Sequence, residues 1–312
     1  MHKIFIFLLT LLAGSFVYGQ TDSLTREEKL ALDSMFKNDE FIKLMMGKDK
    51  SYFDIHVAGG NQLLSTTNNN SNAGQLKSSF ALVPTIAYTH KSGFGLAVSV
   101  FFASDSGQFK PYQYAISPYF VYYGKSYNVA LAYSRYIFNT ASNFSPNPFQ
   151  NDFYGSFVYT KTFIQPGLSI SYSTGQFSDT VRVLGVIRDV KVKVTDFSLS
   201  PYIQHDFYFY KLFSKEDGLS LEPCLKLIAG RQQLKVPGIN RIADRPRLKT
   251  YLKNRFEADS KFQLQSLAGS INIKYQYKKF YISPDLYVDY YLPSTTEKRL
   301  TTLFSVTAGF SF

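Results

Sequence analysis

The chain has 312 residues and a formal charge of +11, from 34 lysines and arginines against 23 aspartates and glutamates. Aromatic residues make up 17% of it, as 29 Phe and 24 Tyr without any Trp, and its mean hydropathy is −0.13. This composition excludes a disordered chain. It also excludes a bundle of membrane helices, because no apolar run after residue 20 approaches the roughly 18 residues that a spanning helix needs. The single Cys224 excludes a disulfide framework and a cysteine-based zinc site.

Residues 1–19 have the features of a secretory signal peptide. Lys3 supplies the positive start, 4–12 form a short apolar stretch, and small residues lead to a cleavage point before Gln20. We therefore expect an exported protein.

The segment 20–50 has helical rather than strand-like periodicity. Thr25 and Glu28 have the spacing of a capping box, and Gly47 suits the end of a helix. We expect one or two short helices within 21–47. They would either cap or plug the domain that follows, or dock to a periplasmic envelope protein.

From residue 51 to residue 312 the polarity alternates with a period of two. In the last segment Phe304, Val306 and Phe310 share one face, whereas Ser305 and Thr307 share the other. A strand with lipid on one side and water on the other has this pattern. Twelve such segments are 51–64, 79–90, 94–104, 112–123, 126–137, 152–162, 164–176, 193–210, 217–232, 261–277, 279–292 and 299–312.

The connections between these segments alternate in length. The second, fourth, sixth, eighth and tenth are short, whereas the first, fifth, seventh and ninth are long and polar. Outer-membrane barrels sort their connections in this way, with short turns in the periplasm and longer loops outside. We therefore predict an all-β, transmembrane, antiparallel up-and-down β-barrel of about 12 strands, within bounds of 10 to 14.

The terminal strand, which ends in Phe310, Ser311 and Phe312, resembles the C-terminal signal of Gram-negative outer-membrane β-barrel proteins. The signal-peptide ending at Gly19 and Gln20 and the strands rich in Tyr and Phe resemble members from Bacteroidota. The resemblance implies residence in the cell outer membrane and insertion by the barrel assembly machinery. It leaves the function open.

Two features of the strands predict local irregularity. Prolines fall within five segments on the lipid-facing register, where each forfeits a ladder hydrogen bond, so we expect bulges there. They are Pro84, Pro118, Pro201, Pro223 and Pro284. His205 also falls on the outward register, which predicts an interface or a bulge.

Charged residues fall on the inward register of several strands. The candidates are Asp54, His56, Asp206, Glu222, Lys226, Lys274, Asp285 and Asp289. The turn at 278–279 is expected to bring Lys274 near Ser283 and Asp285. These residues would either form an ion-paired filling of the barrel or a constriction that selects solutes by charge. Small inward residues on other strands leave room for a pore or for a plug.

Enzyme motifs are weak. His90 and Ser92 resemble the His-x-Ser element of outer-membrane phospholipases, but the following residues differ and the pair lies in a predicted periplasmic turn. No cofactor motif or metal-ligand spacing is present in the sequence.

The positive charge concentrates in the longest predicted outer loop, between about residues 231 and 261. Arginine pairs well with the phosphates of outer-membrane lipid such as lipopolysaccharide, although a solvated loop explains the charges equally well. The lipid-phosphate candidates are Arg241, Arg245, Arg247, Lys249, Lys253 and Arg255. The predicted outside location argues against a nucleic-acid partner.

These observations leave three functional hypotheses. The first is a narrow passive pore or ligand-binding barrel. The second is a structural protein with a closed lumen that binds an envelope partner through 21–47. The third is a lipid hydrolase that uses His90 and Ser92. The expected organisation is a signal peptide at 1–19, a periplasmic helical segment at 20–50 and a barrel at 51–312.

Overall fold

A computed structural model describes residues 50–61, 80–105, 108–138, 149–183, 186–235, 237, 258–259, 261–292 and 299–312. The predicted signal peptide and the predicted helices within 21–47 lie outside these residues. No helix in the described part of the chain is long and apolar enough to cross a membrane. The strands are β1 Tyr52–Gly60, β2 Ala81–Thr89, β3 Phe94–Asp105, β4 Gln108–Tyr123, β5 Tyr127–Phe138, β6 Phe149–Tyr159, β7 Gln165–Val183, β8 Val186–Gln204, β9 Phe207–Tyr210, β10 Asp217–Lys235, β11 Ala258–Asp259, β12 Gln263–Tyr277, β13 Phe280–Tyr291 and β14 Leu300–Ser311.

These strands form one closed antiparallel barrel. Neighbours in sequence pair from β1 to β8, and β10, β12, β13 and β14 continue the ring, which closes where β1 pairs with β14. The short β9 continues β8 after a break, in the same place of the ring, and pairs with the beginning of β10. The ring therefore has twelve strands, with β11 as an extra strand on the far end of β10. The prediction of an all-β barrel of about twelve strands is confirmed.

The outer wall of the barrel is apolar and exposed. Phe94, Leu131 and Leu168 are examples, with 65%, 52% and 45% of their surface accessible, and their neighbours along each strand face the lumen. A water-soluble fold would bury such side chains, whereas a barrel in lipid exposes them to the hydrocarbon region. The predicted alternation is therefore present, and its apolar face is the outer one.

The five short connections lie at one end of the barrel, called here the turn end, together with the start of β1 and the end of β14. The opposite end is called the outer end. The seventh connection was predicted to be long, and this is wrong. Strands β7 and β8 stay paired from Gln165 and Gln204 to Val183 and Val186, leaving only 184–185 between them. Because β6 stops pairing at Gly175, the rest of this hairpin extends beyond its neighbour.

The five prolines do not create bulges. At each one, two residue pairs are missing from the ladder with one neighbouring strand, and pairing resumes in the same register. The ladder with the other neighbour stays continuous at Pro84, for example. A proline lacks the N–H that a ladder hydrogen bond needs, which explains the missing pairs, and the unchanged register shows that no extra residue is inserted as in a bulge. The register shifts occur instead at Phe101/Phe102, Phe149/Asn151 and Ile228/Ala229.

His205 lies at the break between β8 and β9. The pairing with β10 has the same register on both sides of this break, so the bulge predicted here is absent. The alternative prediction, an interface, stays a prediction. Its ring lies 4.2 Å from the ring of Phe163 and 4.3 Å from that of Phe207, and its Nδ1 contacts the carbonyl oxygen of Phe163. Its backbone N–H donates to the carbonyl of Pro223 on β10 at 3.3 Å. The imidazole thus ties the neighbouring turn to an interrupted strand.

Candidate functional site

The lumen is the candidate site, and its turn end contains a carboxylate held by three side chains. Asp54 accepts hydrogen bonds from Tyr281 at 3.0 Å and Ser311 at 2.6 Å, and its Oδ1 also lies against Nδ1 of His56. These partners come from β1, β13 and β14, so the closure of the barrel creates the cluster. It fixes the register at the seam between the first and last strands.

Lys274 belongs to this turn-end cluster. Its Nζ lies 4.5 Å from the ring centroid of Tyr281, and its charge interacts with that of Asp54. The sequence predicted a position near Ser283 and Asp285, and the register that pairs Tyr275 with Ile282 places Lys274 across from Ser283. The strand register places Asn272 opposite Asp285, and Asn272 donates to Ser283 at 3.2 Å.

A second charged cluster has one carboxylate in the break between β8 and β9, a carboxylate and a lysine on β10, and one carboxylate on β13. Glu222 interacts electrostatically with Asp206, Asp285 and Lys226. The Lys226 ammonium lies 5.5 Å from the ring centroid of Tyr202, and Gln204 donates to Asp206 at 3.3 Å. Three carboxylates therefore share one lysine. The described residues contain no group of three or more His, Cys, Asp or Glu side chains arranged to hold a metal ion.

Asp289 is remote from both clusters. It lies opposite Thr301 on β14, whereas Asp54 lies opposite Ser311, ten positions further along the same strand. At about 3.3 Å per residue, roughly 33 Å of strand separates the two heights. Asp54 and Asp289 are two strands apart, as predicted, but at opposite ends of the barrel. Asp289 is 2% exposed.

The two halves of the lumen differ in accessibility. In the half near the turns, the inward side chains of Glu222, Lys226 and Lys274 are partly exposed. In the outer half many of the inward side chains are buried, including an apolar cluster around Phe101, whose ring lies 6.1 Å from Tyr112 and 6.3 Å from Tyr136. On the facing strands the buried side chains are Val192, Val194, Ile228 and Ala268. The partly exposed charges of the lumen therefore lie in the half near the turns, and this part of the lumen is called here the vestibule.

Two further carboxylates in the outer half were missing from the sequence-based candidates. Asp152 accepts hydrogen bonds from Ser173 at 2.7 Å and Ser171 at 3.4 Å, and Asp196 is 4% exposed. Both occupy even positions in their strands, which is the inward register. The alternation of the sequence was therefore enough to predict that they face the lumen. Their burial depends on neighbouring strands and was not visible in the sequence.

Tyrosine rings narrow the lumen by packing on glycines of the adjacent strand. Tyr119 lies opposite Gly95 and Tyr202 opposite Gly167. A Cβ added to Gly95 would meet the Tyr119 ring at 2.2 Å, and one added to Gly167 would meet the Tyr202 ring at 2.4 Å. The space that small inward residues were predicted to leave for a pore or a plug is thus partly filled by tyrosine rings of the adjacent strands.

His90 and Ser92 form an ordinary turn contact. His90 Nδ1 lies 2.8 Å from Ser92 Oγ, and the backbone N–H of Ser92 donates to the same nitrogen at 3.3 Å. Gly93 closes the turn with a φ of 94°. Both side chains are exposed at the turn end, where this local geometry accounts for the contact.

The six lipid-phosphate candidates at residues 241–255 lie outside the described residues. Their predicted role stays a prediction. The basic surface that the structure does describe lies on β8 and β10.

Comparisons with known proteins find barrels of similar form. No family model matches the chain, and no curated protein sequence matches it. Among solved structures, the beta domain of a Bordetella autotransporter has 10% identity, a TM-score of 0.43, and coverage of 85% of this chain and 99% of its own. An outer membrane channel from Pseudomonas putida F1 has 9% identity, a TM-score of 0.43, and coverage of 84% and 96%. The KdgM porin has 13% identity, a TM-score of 0.37, and coverage of 84% and 99%.

Proposed function

We propose that the chain is an outer-membrane β-barrel whose lumen acts as a narrow passive passage, or a binding vestibule, for small cationic solutes. The apolar outer wall and the ring closure support residence in a membrane as a barrel. The arrangement of short turns at one end supports an outer membrane with that end in the periplasm. Insertion by the barrel assembly machinery is part of this proposal.

The observation that supports cations is the charge of the lumen wall. Its described inward positions contain seven carboxylates against two lysines, with Lys110 and Arg299 at the outer rim. The carboxylates are Asp54, Asp152, Asp196, Asp206, Glu222, Asp285 and Asp289, and the lysines are Lys226 and Lys274. A narrow passage lined by an excess of one charge attracts the opposite charge. The chain as a whole is basic, so this sign is a property of the lumen.

The test is conductance of the purified protein in planar lipid bilayers under a KCl gradient. The packed outer half predicts small, cation-selective currents. A vestibule without passage would instead bind a polyamine such as spermidine, measured by equilibrium dialysis. Anion selectivity would contradict the proposal, as would the absence of both conductance and spermidine binding.

The second hypothesis, a closed structural barrel that binds an envelope partner through 21–47, is favoured by the buried outer half of the lumen. Capture of such a partner by the intact chain, lost when 21–47 is deleted while the barrel still inserts, would support it. The third hypothesis, a lipid hydrolase, gains no support from the His90 and Ser92 turn. Unchanged lipid hydrolysis in Ser92→Ala would dismiss it.

A further inference from the structure

A cleft of about 260 Å³ lies on the outside of the barrel between β8 and β10. Three cations line it: Lys193, Arg231 and Lys235. Arg231 lies opposite Phe197, and Lys235 lies opposite Lys193. Odd positions of these two strands point away from the lumen, as the exposed Leu225 and Ile203 show, so the cations lie on the lipid-facing side.

The height of this outer cleft follows from the length of β10. Its outward positions from Leu219 to Ala229 are leucine, proline or alanine, and ten residue-to-residue steps separate the first from the last. Ten residues at about 3.3 Å, tilted by about 40°, cover roughly 25 Å, which is the height of the apolar band of a membrane barrel. Arg231 is the next outward position. The cleft therefore begins where hydrocarbon ends and the headgroups of the outer leaflet begin.

The cations of the cleft are not neutralised by their neighbours. Within the described part of the chain, none of Lys193, Arg231 and Lys235 has an ion-pair partner. Like charges directly opposite one another in a sheet, as Lys193 and Lys235 are, destabilise the pair. The one carboxylate of the lining, Asp196, is 4% exposed. An anion between the strands would relieve this repulsion.

The rest of the lining fits a lipid rather than a free ion. Tyr172 and Phe197 supply aromatic surface on the apolar side of the cleft, and Thr195 and Gln233 add polar groups. The volume equals that of about nine water molecules, at roughly 30 Å³ each, which exceeds what one phosphate needs. It leaves room for part of a sugar ring against the aromatic side chains.

We propose that the outer cleft binds the phosphate of a phosphorylated glycolipid of the outer leaflet, with Lys193, Arg231 and Lys235 as its ligands. Arginine and lysine form charge-assisted hydrogen bonds with phosphate oxygens, and the aromatic side chains contact the sugar. This inference rests on the proposed residence in the outer membrane. It assigns the site to residues on two barrel strands, none of which is among the six lipid-phosphate candidates predicted from the sequence.

The experiment uses the full chain folded in nanodiscs and three probes: bis-phosphorylated lipid A, the same lipid after dephosphorylation, and inorganic phosphate. The test variant is Arg231→Gln with Lys235→Gln. The matched control, Lys91→Gln with Lys125→Gln, removes the same charge from two exposed lysines at the turn end. Each cation near a charged membrane surface strengthens binding about five-fold, so we expect lipid A to bind roughly 25-fold more weakly to the test variant, which lacks two cations. The control variant should bind as the unmodified protein does.

Native mass spectrometry separates the outcomes. Loss of binding on dephosphorylation, and no displacement of lipid A by inorganic phosphate, are expected. Equal binding by test and control variants would overturn the site. Equal binding of dephosphorylated lipid, or displacement by inorganic phosphate at the concentration of lipid A, would overturn the assignment to a lipid phosphate. Membrane insertion is measured separately by heat-dependent electrophoretic migration, so a chain that fails to insert would refute the outer-membrane proposal itself.

Discussion

Neutralising Glu222 should weaken the preference of the lumen for cations. Glu222 is partly exposed in the turn-end vestibule, where three carboxylates share the single charge of Lys226. At about 5 Å in water, one unit charge is worth about 0.8 kcal/mol to a passing ion, and screening over a Debye length of about 10 Å lowers this to about 0.5 kcal/mol. That energy raises the local concentration of a cation by a factor of about 2.3 and lowers that of an anion by the same factor.

Glu222→Gln should therefore lower the cation-to-anion permeability ratio about five-fold, measured from the reversal potential in planar bilayers under a KCl gradient. Lys226→Gln removes the opposite charge from the same wall, so the ratio should rise by a similar factor. Glu216→Gln, in an exposed turn, is the matched control and should leave the ratio unchanged. Reversal potentials that do not separate Glu222→Gln from Lys226→Gln would refute the role assigned to the lumen charges.

Two further predictions concern the wall and the turns. Gly167→Ala would place a Cβ 2.4 Å from the Tyr202 ring and should destabilise the barrel by about 1–3 kcal/mol in urea unfolding. Gly269→Ala is the control, because its Cβ would meet nothing closer than 3.9 Å, and it should leave the stability unchanged. Equal unfolding midpoints for the two variants would contradict the packing argument. At the turn end, the Glu216 carboxylate lies 3.0 Å from Lys278 Nζ and its hydrogen bond raises the pKa of Lys278. The raised pKa means that this contact stabilises the fold at neutral pH and is lost only as the pH rises through that value. Glu216→Gln should lower the pKa of Lys278 in an NMR titration, and an unchanged pKa would show that the contact is absent in solution.

The strand alternation predicted much of this fold, and the failures have physical causes. Segment 193–210 was predicted as a strand, but residues 177–192 were predicted to be a long polar connection, although β7 and β8 continue through them as a paired hairpin. The packed outer half was also missed. Its aromatic cluster depends on the register shift at Phe101/Phe102, which lets the adjacent Tyr112 and Gln113 both be buried. A period of two cannot predict two consecutive inward residues.

The charged clusters show the same limit. Every inward candidate followed from parity along its own strand, but parity does not give the height of one strand relative to another. The Asp54 cluster forms because Ser311 and Tyr281 meet it at the seam, and the register there is fixed by pairing across more than 200 residues of sequence. The outer cleft likewise joins residues of β8 and β10, on opposite sides of a strand break and a turn.

A cysteine of the chain can test directly whether the vestibule at the turn end is acidic and open to water. Cys224 is the single cysteine, lies between Glu222 and Lys226 on the inward register of β10, and is partly exposed. Its reaction rates with a cationic and an anionic methanethiosulfonate reagent can be compared in the folded barrel and in the chain unfolded in urea. If the vestibule is acidic and open, folding should raise the ratio of the reaction rate with the cationic reagent to that with the anionic reagent. A Cys224 that reacts only when unfolded, or a ratio that folding leaves unchanged or lowers, would contradict it.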